Sequence, residues 1–543
     1  MNFNIHKISL IMEFAKLVKR YEFFILIAFL ILAFALELKV TFSSPIAFGD
    51  EGFHTRMSQY MAENNEYPVY NPIETTKLDK RGFARPPLWE LLEGGFYSVF
   101  GFSEIIVKFL TPFISSVLTG LTVYILVKRI YNERIGVLSS IISVTFPVIV
   151  TYAVLFYVDT LFVFYFSLFA FLLILGVKTE NRKYMMLSGV FGAFAFLTKI
   201  VGVFIFIILG LVLMYNLIKS RQEFRKIIKL YSLPLIVMSI FVLSFLLRNL
   251  IYYETPLCTA PLDTTNCDAI KYTTKYTFSQ VVEQAGTNIP LFKFGAYDFI
   301  LFAYGNIWFI GITFLGGLFL LWKKNENKAL IGIVLFSLLI LFLRLFDART
   351  EDVARWTLAW SPVIAVVSSM YLSEVYSFLT KHYKHLGIIV IIVVIFFGYS
   401  TLTQKLNVMS SVKRFSPLFF EACDWVRENL PQDALISTVW GHHTTYNCQR
   451  SVAPNLPDFE LSNDADFIVD VADQHGITHI FIQKFSIRNY ALEEGYTIDF
   501  VNLLETNSDK FKKIYENGPN LQQCLQQGGC DGSMIYEINF TAL

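Results

Sequence analysis

Uncharged apolar runs of about 18–24 residues recur along this chain as far as residue 404, each long enough to cross some 30 Å of hydrocarbon as a helix. A chain built this way cannot fold as a single water-soluble globule. Its composition agrees: 54% of the 543 residues are apolar and only 16% charged, where a soluble domain has about a quarter charged. The pattern predicts about eleven spans, near 22–40, 105–127, 135–153, 155–177, 185–198, 200–218, 231–251, 298–322, 329–346, 355–377 and 386–404. Lys199 interrupts the apolar run over 185–218, which is either two short helices or one broken one.

The cations give the expected orientation. Lys7, Lys16, Lys19 and Arg20 precede the first span. Alternate loops carry Lys128, Arg129 and Arg134; Lys178, Arg182 and Lys183; Lys219, Arg221, Arg225, Lys226 and Lys229; Lys323, Lys324 and Lys328; and Lys381 and Lys384. With that span count all of them share one side, which the positive-inside rule makes cytoplasmic. Segments 41–104, 252–297, 347–354 and everything past 405 then face outward. The net charge of +1 sums a basic inner face and a mildly acidic outer one, which gives no reason to expect nucleic acid as a partner. All six cysteines (Cys258, Cys267, Cys423, Cys448, Cys524 and Cys530) fall in outward segments, as disulfides in an oxidising compartment would. Sequence proximity favours Cys258–Cys267 and Cys524–Cys530, leaving Cys423–Cys448, with free buried thiols as the alternative. The first apolar stretch reads as an uncleaved anchor.

The expected architecture is an all-α polytopic membrane protein over 1–405, with a soluble α/β domain over 406–543. In the second part, Ser416-Pro417 opens a helix through Leu430, and Ala434–Trp440 reads as a strand. Asp464–Gln474 is a helix stopped by Gly476, and Ile477–Gln483 is the next strand. Phe511–Tyr515 and Met534–Ile538 are further strand candidates. The outward loop 41–104 carries two amphipathic stretches. One has Phe53, Met57, Tyr60 and Met61 on a single helical face; the other runs from Pro86 to Phe100. Both read as helices lying on the membrane plane, with Trp89 in the headgroup layer.

The candidate chemistry lies on this outward face. Asp50-Glu51 directly follows the first span, in Gly49-Asp50-Glu51-Gly52-Phe53-His54. Asp50 has two readings: a helix N-cap, or a carboxylate that takes a hydroxyl proton or ligates a metal. Asp159, at the outer end of the fourth span, is an ionisable group at membrane depth and so a functional candidate, or else a structural partner to a base. Lys199, Arg85 and Arg355 also sit at outer helix ends, where cations either hold lipid-linked phosphate or snorkel. Trp440-Gly441-His442-His443, at the end of a predicted strand, has two readings: it reaches over the active site, or, lacking partners at metal-ligand spacing, it is a solvated loop, which is the favoured one.

In their order along the chain these motifs resemble the glycosyltransferase C superfamily, and most of all its protein O-mannosyltransferase and lipid A aminoarabinose transferase branch. The resemblance rests on Asp50-Glu51 after the first span, Arg85-Pro86-Pro87-Leu88-Trp89, Tyr157-Val158-Asp159 and Leu197-Thr198-Lys199. Arg355-Trp356-Thr357-Leu358 corresponds loosely. It implies sugar transfer from a polyprenyl-phosphate-linked donor to a protein, lipid or glycan hydroxyl at the outer face, with inversion. Asp50 would be the base and Glu51 its support. Arg85 and Lys199 would hold the donor phosphate, Asp159 would place the acceptor or a divalent cation, and Arg355 and His54 would complete the substrate-binding set. No cofactor is required beyond that optional cation. The polar 252–297 loop has no counterpart in the branch, and the Trp-Trp-Asp-Tyr-Gly motif of oligosaccharyltransferases is absent. The rival readings are a transporter or flippase, which internal repeats would favour, and a non-catalytic binder of lipid-linked sugar.

Overall fold

The computed structural model describes residues 2–46, 50–77, 83, 85–219, 224–253, 307–324, 358–383, 386–412, 416–453, 456, 459, 462–488, 496–526 and 530–542. The helices that follow the first apolar stretch alternate with loops as hydropathy predicts. Helix α1 is Asn2–Phe42. Two helices of the first loop follow, α2 (Glu51–Asn64) and α3 (Leu88–Phe100). Next, α4 (Glu104–Pro112) and α5 (Thr119–Ile130) are joined by a π-helical turn, Phe113–Leu118. Helices α6 (Glu133–Val144) and α7 (Pro147–Ala153) meet at a 59° bend. Pro147 accounts for that bend, because it cannot donate into the preceding turn.

The bundle continues with α8 (Asp159–Thr179), α9 (Arg182–Thr198), α10 (Phe204–Lys219), α11 (Phe224–Tyr253), α12 (Ile307–Lys324), α13 (Ser361–His382) and α14 (Ile388–Val412). Among the described residues, seven helices are long and apolar enough to cross a membrane, or eight if the bent pair is one span. The predicted span at 329–346 lies outside the described residues, as do Arg355 and the Cys258–Cys267 pair.

The 185–218 run is two helices. Lys199 takes an extended backbone (φ −150°, ψ 131°) and a 3-10 turn, Ile200–Val203, follows. Gly202 comes so close to α9 that a Cβ there would sit 2.4 Å from Phe196 Cα. The chain therefore doubles back, with Lys199 at the tip of the hairpin.

Beyond the bundle lies a small layered domain. It contains α15 (Pro417–Asn429), α16 (Gly441–Cys448), α17 (Ala465–His475), α18 (Ile498–Thr506) and α19 (Leu521–Gln526). Its five-stranded sheet has the order β2-β1-β3-β7-β6. The strands are β1 (Leu435–Ser437), β2 (Ser451–Ala453), β3 (His479–Gln483), β6 (Phe511–Glu516) and β7 (Ser533–Ile538), with β4 (Ile487–Arg488) and β5 (Tyr496–Thr497) paired separately. β2, β1 and β3 run parallel, and β7 and β6 are antiparallel. The local punctuation acts as read from sequence. The Ser416 side chain accepts from Leu418 N–H at 3.1 Å, and Gly476 ends α17 in the left-handed region at φ +76°.

The disulfides Cys423–Cys448 and Cys524–Cys530 are both formed. Cys423–Cys448 ties α15 to α16 across 25 residues of sequence. Closing a loop of that length is worth about 3 kcal/mol by chain entropy. Replacing both cysteines by serine is expected to lower the midpoint of thermal unfolding, followed by circular dichroism on the detergent-solubilised full chain. An unchanged midpoint would contradict this.

Candidate active site

Helix α2 does not rest its apolar face on the membrane plane as expected. Phe53, Met57 and Met61 are buried against Ile73 and Phe83 of the same loop, which folds back over them. Trp89 is likewise fully buried instead of lying in a headgroup layer. Only α3 keeps an exposed apolar side, with Leu91, Phe96, Val99 and Phe100.

This packing places the acid pair at a junction of α2, the turn before α8 and the start of α16. Asp50 precedes α2, yet its side chain makes no capping hydrogen bond. The capping reading is therefore wrong for the carboxylate, which faces His442 instead, with Oδ1 3.3 Å from Nδ1. The Asp50 N–H donates to Tyr157 Oη at 3.1 Å. Glu51 is fully buried, and its Oε1 accepts from the Phe156 N–H at 3.3 Å. Residues 156–159 thus join both acids to Asp159, the first residue of α8. Asp159 is fully buried and ion-paired with Lys199 Nζ. The structure therefore gathers Asp50, Glu51, Asp159 and Lys199 around one short segment.

Arg85 has its guanidinium 4.0 Å from the centre of the Phe53 ring, a cation–π contact. Phe53 in turn lies 5.0 Å from the His442 ring. Arg248, near the end of α11, supports the segment leading to Arg85 by donating to Pro68 O at 2.8 Å and Phe83 O at 3.3 Å.

At His442 the structure corrects the favoured of the two sequence readings. Expected in a solvated loop, His442 bridges two carboxylates, with Nε2 2.8 Å from Glu74 Oε1. Burial alone would lower the His442 pKa, but Glu74 and Asp50 outweigh it and push it up to about 10. Its only sequence signal was its place just after a predicted strand, where the loops of parallel sheets project.

His54 is buried, and its Nδ1 lies 2.8 Å from Glu90 Oε1, so it faces α3. One turn further on, Ser58 Oγ lies 2.8 Å from His54 O and 3.0 Å from Glu93 Oε2. A hydroxyl has one proton and cannot donate to both oxygens. Tyr97 Oη donates to Glu93 Oε1 at 2.6 Å, so a protonated Glu93 Oε2 donating to Ser58 satisfies every group. Burial accordingly raises the Glu93 pKa to about 7, with the hydrogen bond from Tyr97 opposing and Glu90 adding. A raised carboxyl pKa stabilises the fold below its ordinary 4.5 and withdraws that stability as pH climbs towards 7, a linkage of about 3 kcal/mol. Glu93→Gln, which keeps the same hydrogen bonds, is expected to raise the melting temperature at pH 8 and leave it unchanged at pH 4. A wild-type melting temperature at pH 8 would refute this.

The site does not suit the divalent cation that the sequence allowed. Asp159 is held by Lys199 and Asp50 by His442. Among the described residues no group of three His, Cys, Asp or Glu could ligate a metal.

Comparisons with known proteins bear on the fold. Residues 84–245 match the family described as dolichyl-phosphate-mannose-protein mannosyltransferase. The chain shares its fold with ArnT from Cupriavidus metallidurans in the apo state (TM-score 0.63, 11% identity, covering 95% of this chain and 98% of that one). It is also similar to the Archaeoglobus fulgidus oligosaccharyltransferase solved with zinc and sulfate (TM-score 0.62, 13% identity, 90% and 72% covered). A mycobacterial arabinofuranosyltransferase, AftD, matches over 94% of this chain and 40% of its own length (TM-score 0.55, 12% identity). No curated protein matches the chain significantly. The protein is thus a multi-pass membrane protein with the glycosyltransferase C fold and a C-terminal sheet domain. The stretch that resembles the mannosyltransferase family, residues 84–245, includes Arg85-Pro86-Pro87, Asp159 and Lys199 of the motifs read from the sequence.

Proposed function

We propose that this protein is an integral membrane glycosyltransferase that moves a sugar from a polyprenyl-phosphate-linked donor to a hydroxyl of a protein, lipid or glycan. The observation that carries this reading is the Asp50 carboxylate. It is turned away from capping its own helix and still 26% exposed, and it is tied through residues 156–159 to the Asp159–Lys199 pair. A base joined through one short segment to a fixed cation suits this reaction. The acceptor hydroxyl gives its proton to Asp50 as its oxygen bonds the anomeric carbon, while the bond from that carbon to the donor phosphate breaks. The departing phosphate gains negative charge, which Lys199 and Arg85 would stabilise. A single base attacking opposite the phosphate inverts the anomeric centre. Glu51, fixed by the Phe156 N–H, holds the start of α2 in place. His54, bonded to Glu90, holds α2 against α3. Arg355 remains a further candidate for the donor phosphate.

The polyprenyl-phosphate donor follows the ArnT structure solved with undecaprenyl phosphate and the archaeal AglB structure solved with a dolichol-phosphate. The basic loops support a cytoplasmic N-terminus, with the site and the C-terminal domain on the extracytoplasmic side. The test is transfer of radiolabelled sugar from synthetic polyprenyl-phosphate donors by the full chain in nanodiscs. Product formed with inverted anomeric configuration supports the proposal. A protein that binds these donors but transfers no sugar to any hydroxyl acceptor is a binder or transporter, and the proposal fails.

A further inference from the structure

We infer that His442 is a positioning residue of this site, through which the C-terminal domain orients the Asp50 carboxylate and balances its charge. The inference rests on the reading of Asp50 as the base. It starts from how firmly the imidazole is placed. Helix α16 is fixed at its far end by the Cys423–Cys448 bridge, and along its length by contacts to the membrane part. Tyr446 Oη donates to Glu104 Oε1 at 2.9 Å, and Asn447 Nδ2 donates to Ile46 O at 3.1 Å. Gly52 lets the two helices close up, since a Cβ there would lie 2.5 Å from His442 O. Glu74, on the other side of the ring, is itself held. It accepts from Asn71 Nδ2 at 3.2 Å, and its backbone bridges to Val452 in β2. The ring therefore has a fixed partner on each nitrogen.

That geometry decides the charge. Ionised carboxylates only accept hydrogen bonds, so both nitrogens must donate, and only the imidazolium does so. The charged groups against the ring are Asp50 at the start of α2 and Glu74 from the 65–77 segment, with Arg85 one ring further out over Phe53. An imidazolium already carries its full complement of protons. It cannot take the acceptor's proton, and that task stays with Asp50. What His442 supplies is a fixed direction for the Asp50 oxygens and a positive charge that keeps them ionised to lower pH. The sheet domain is thus a working part of the site, because the first turn of α16, directly after β1, delivers the cation.

The test is the pH profile of sugar transfer by the full chain in nanodiscs, for wild type, His442→Gln, His442→Lys and Asp50→Asn. His442→Gln should lower kcat at neutral pH by about 10–100-fold with donor KM unchanged, as expected for lost orientation of a general base. It should also move the acidic limb of the kcat profile upward by about one pH unit. His442→Lys should bring that limb back towards its wild-type position. Wild-type kcat and limb in His442→Gln would overturn the inference. So would a loss of kcat with no movement of the limb, which would make His442 a purely structural tie between domains. Asp50→Asn separates the two claims. If that variant retains full activity, the base assignment fails and this inference with it; if it is inert while His442→Gln is normal, only the inference fails.

Discussion

Asp50→Asn is expected to reduce kcat for sugar transfer by about 10²–10⁴-fold while leaving the fold and donor binding close to wild type, since a positioned general base contributes about that much. The substitution is nearly isosteric. It keeps the backbone N–H that donates to Tyr157, so the start of α2 stays where it is. An amide oxygen can still accept from His442 Nδ1, so domain contact is largely kept. Lost are the negative charge and the ability to take a proton from the acceptor. Because the acceptor is deprotonated only as the new bond forms, the deficit falls on kcat and kcat/KM together, with little change in donor KM. Glu51→Gln is the useful comparison. Glu51 is fully buried and accepts from the Phe156 N–H, an arrangement that the amide oxygen preserves, so it should lose far less activity. Single-turnover transfer with radiolabelled donor measures both. If Asp50→Asn and Glu51→Gln lose activity equally, Asp50 has no special role as base.

How much of this was legible in the sequence depended on whether the deciding interaction was local. The bundle helices followed from hydropathy, because in hydrocarbon the backbone must satisfy itself within each helix. In the C-terminal domain, Ser416-Pro417, Asp464 and Gly476 set helix ends through contacts a few residues away, and those ends fell where they were read. The short α16 and the two-residue strands were missed, since periodicity needs a longer window. The face of α2 shows a different failure. Phe53, Met57 and Met61 announce an apolar stripe, but a stripe does not say what covers it. Phe83 and Ile73 of the same loop do so, instead of lipid. The candidate site behaved the same way. Asp50, Glu51, Asp159 and Lys199 stood out as candidates because charge at the edge of a span is costly and conspicuous. His442 was set aside in favour of a solvated loop, because nothing within its own segment reveals that the fold sets it between Asp50 and Glu74. The capping reading of Asp50 failed for the same reason: a tertiary partner took the carboxylate that local propensity had assigned to the helix.

The second large effect is expected at Asp159 and Lys199, where stability and activity respond in different ways. Asp159 is fully buried and Lys199 exposes only 15% of its side chain. Removing one member strands a charge in a low-dielectric interior, at a cost of about 3–5 kcal/mol. Asp159→Ala and Lys199→Ala should therefore each lower the melting temperature of the solubilised protein strongly. The double variant should recover much of that loss, because a buried pair replaced as a unit leaves no orphan charge. Activity should not recover with it. Lys199 sits at the hairpin tip between α9 and α10, and its ammonium is proposed to stabilise the leaving phosphate. The double variant should thus be folded yet reduced in kcat by about 10²–10³-fold, comparable to losing one fixed donor to a developing charge. Thermal unfolding and single-turnover transfer on the same three preparations read the two effects separately. Recovery of transfer along with stability in the double variant would make the pair structural, and remove Lys199 from the chemistry.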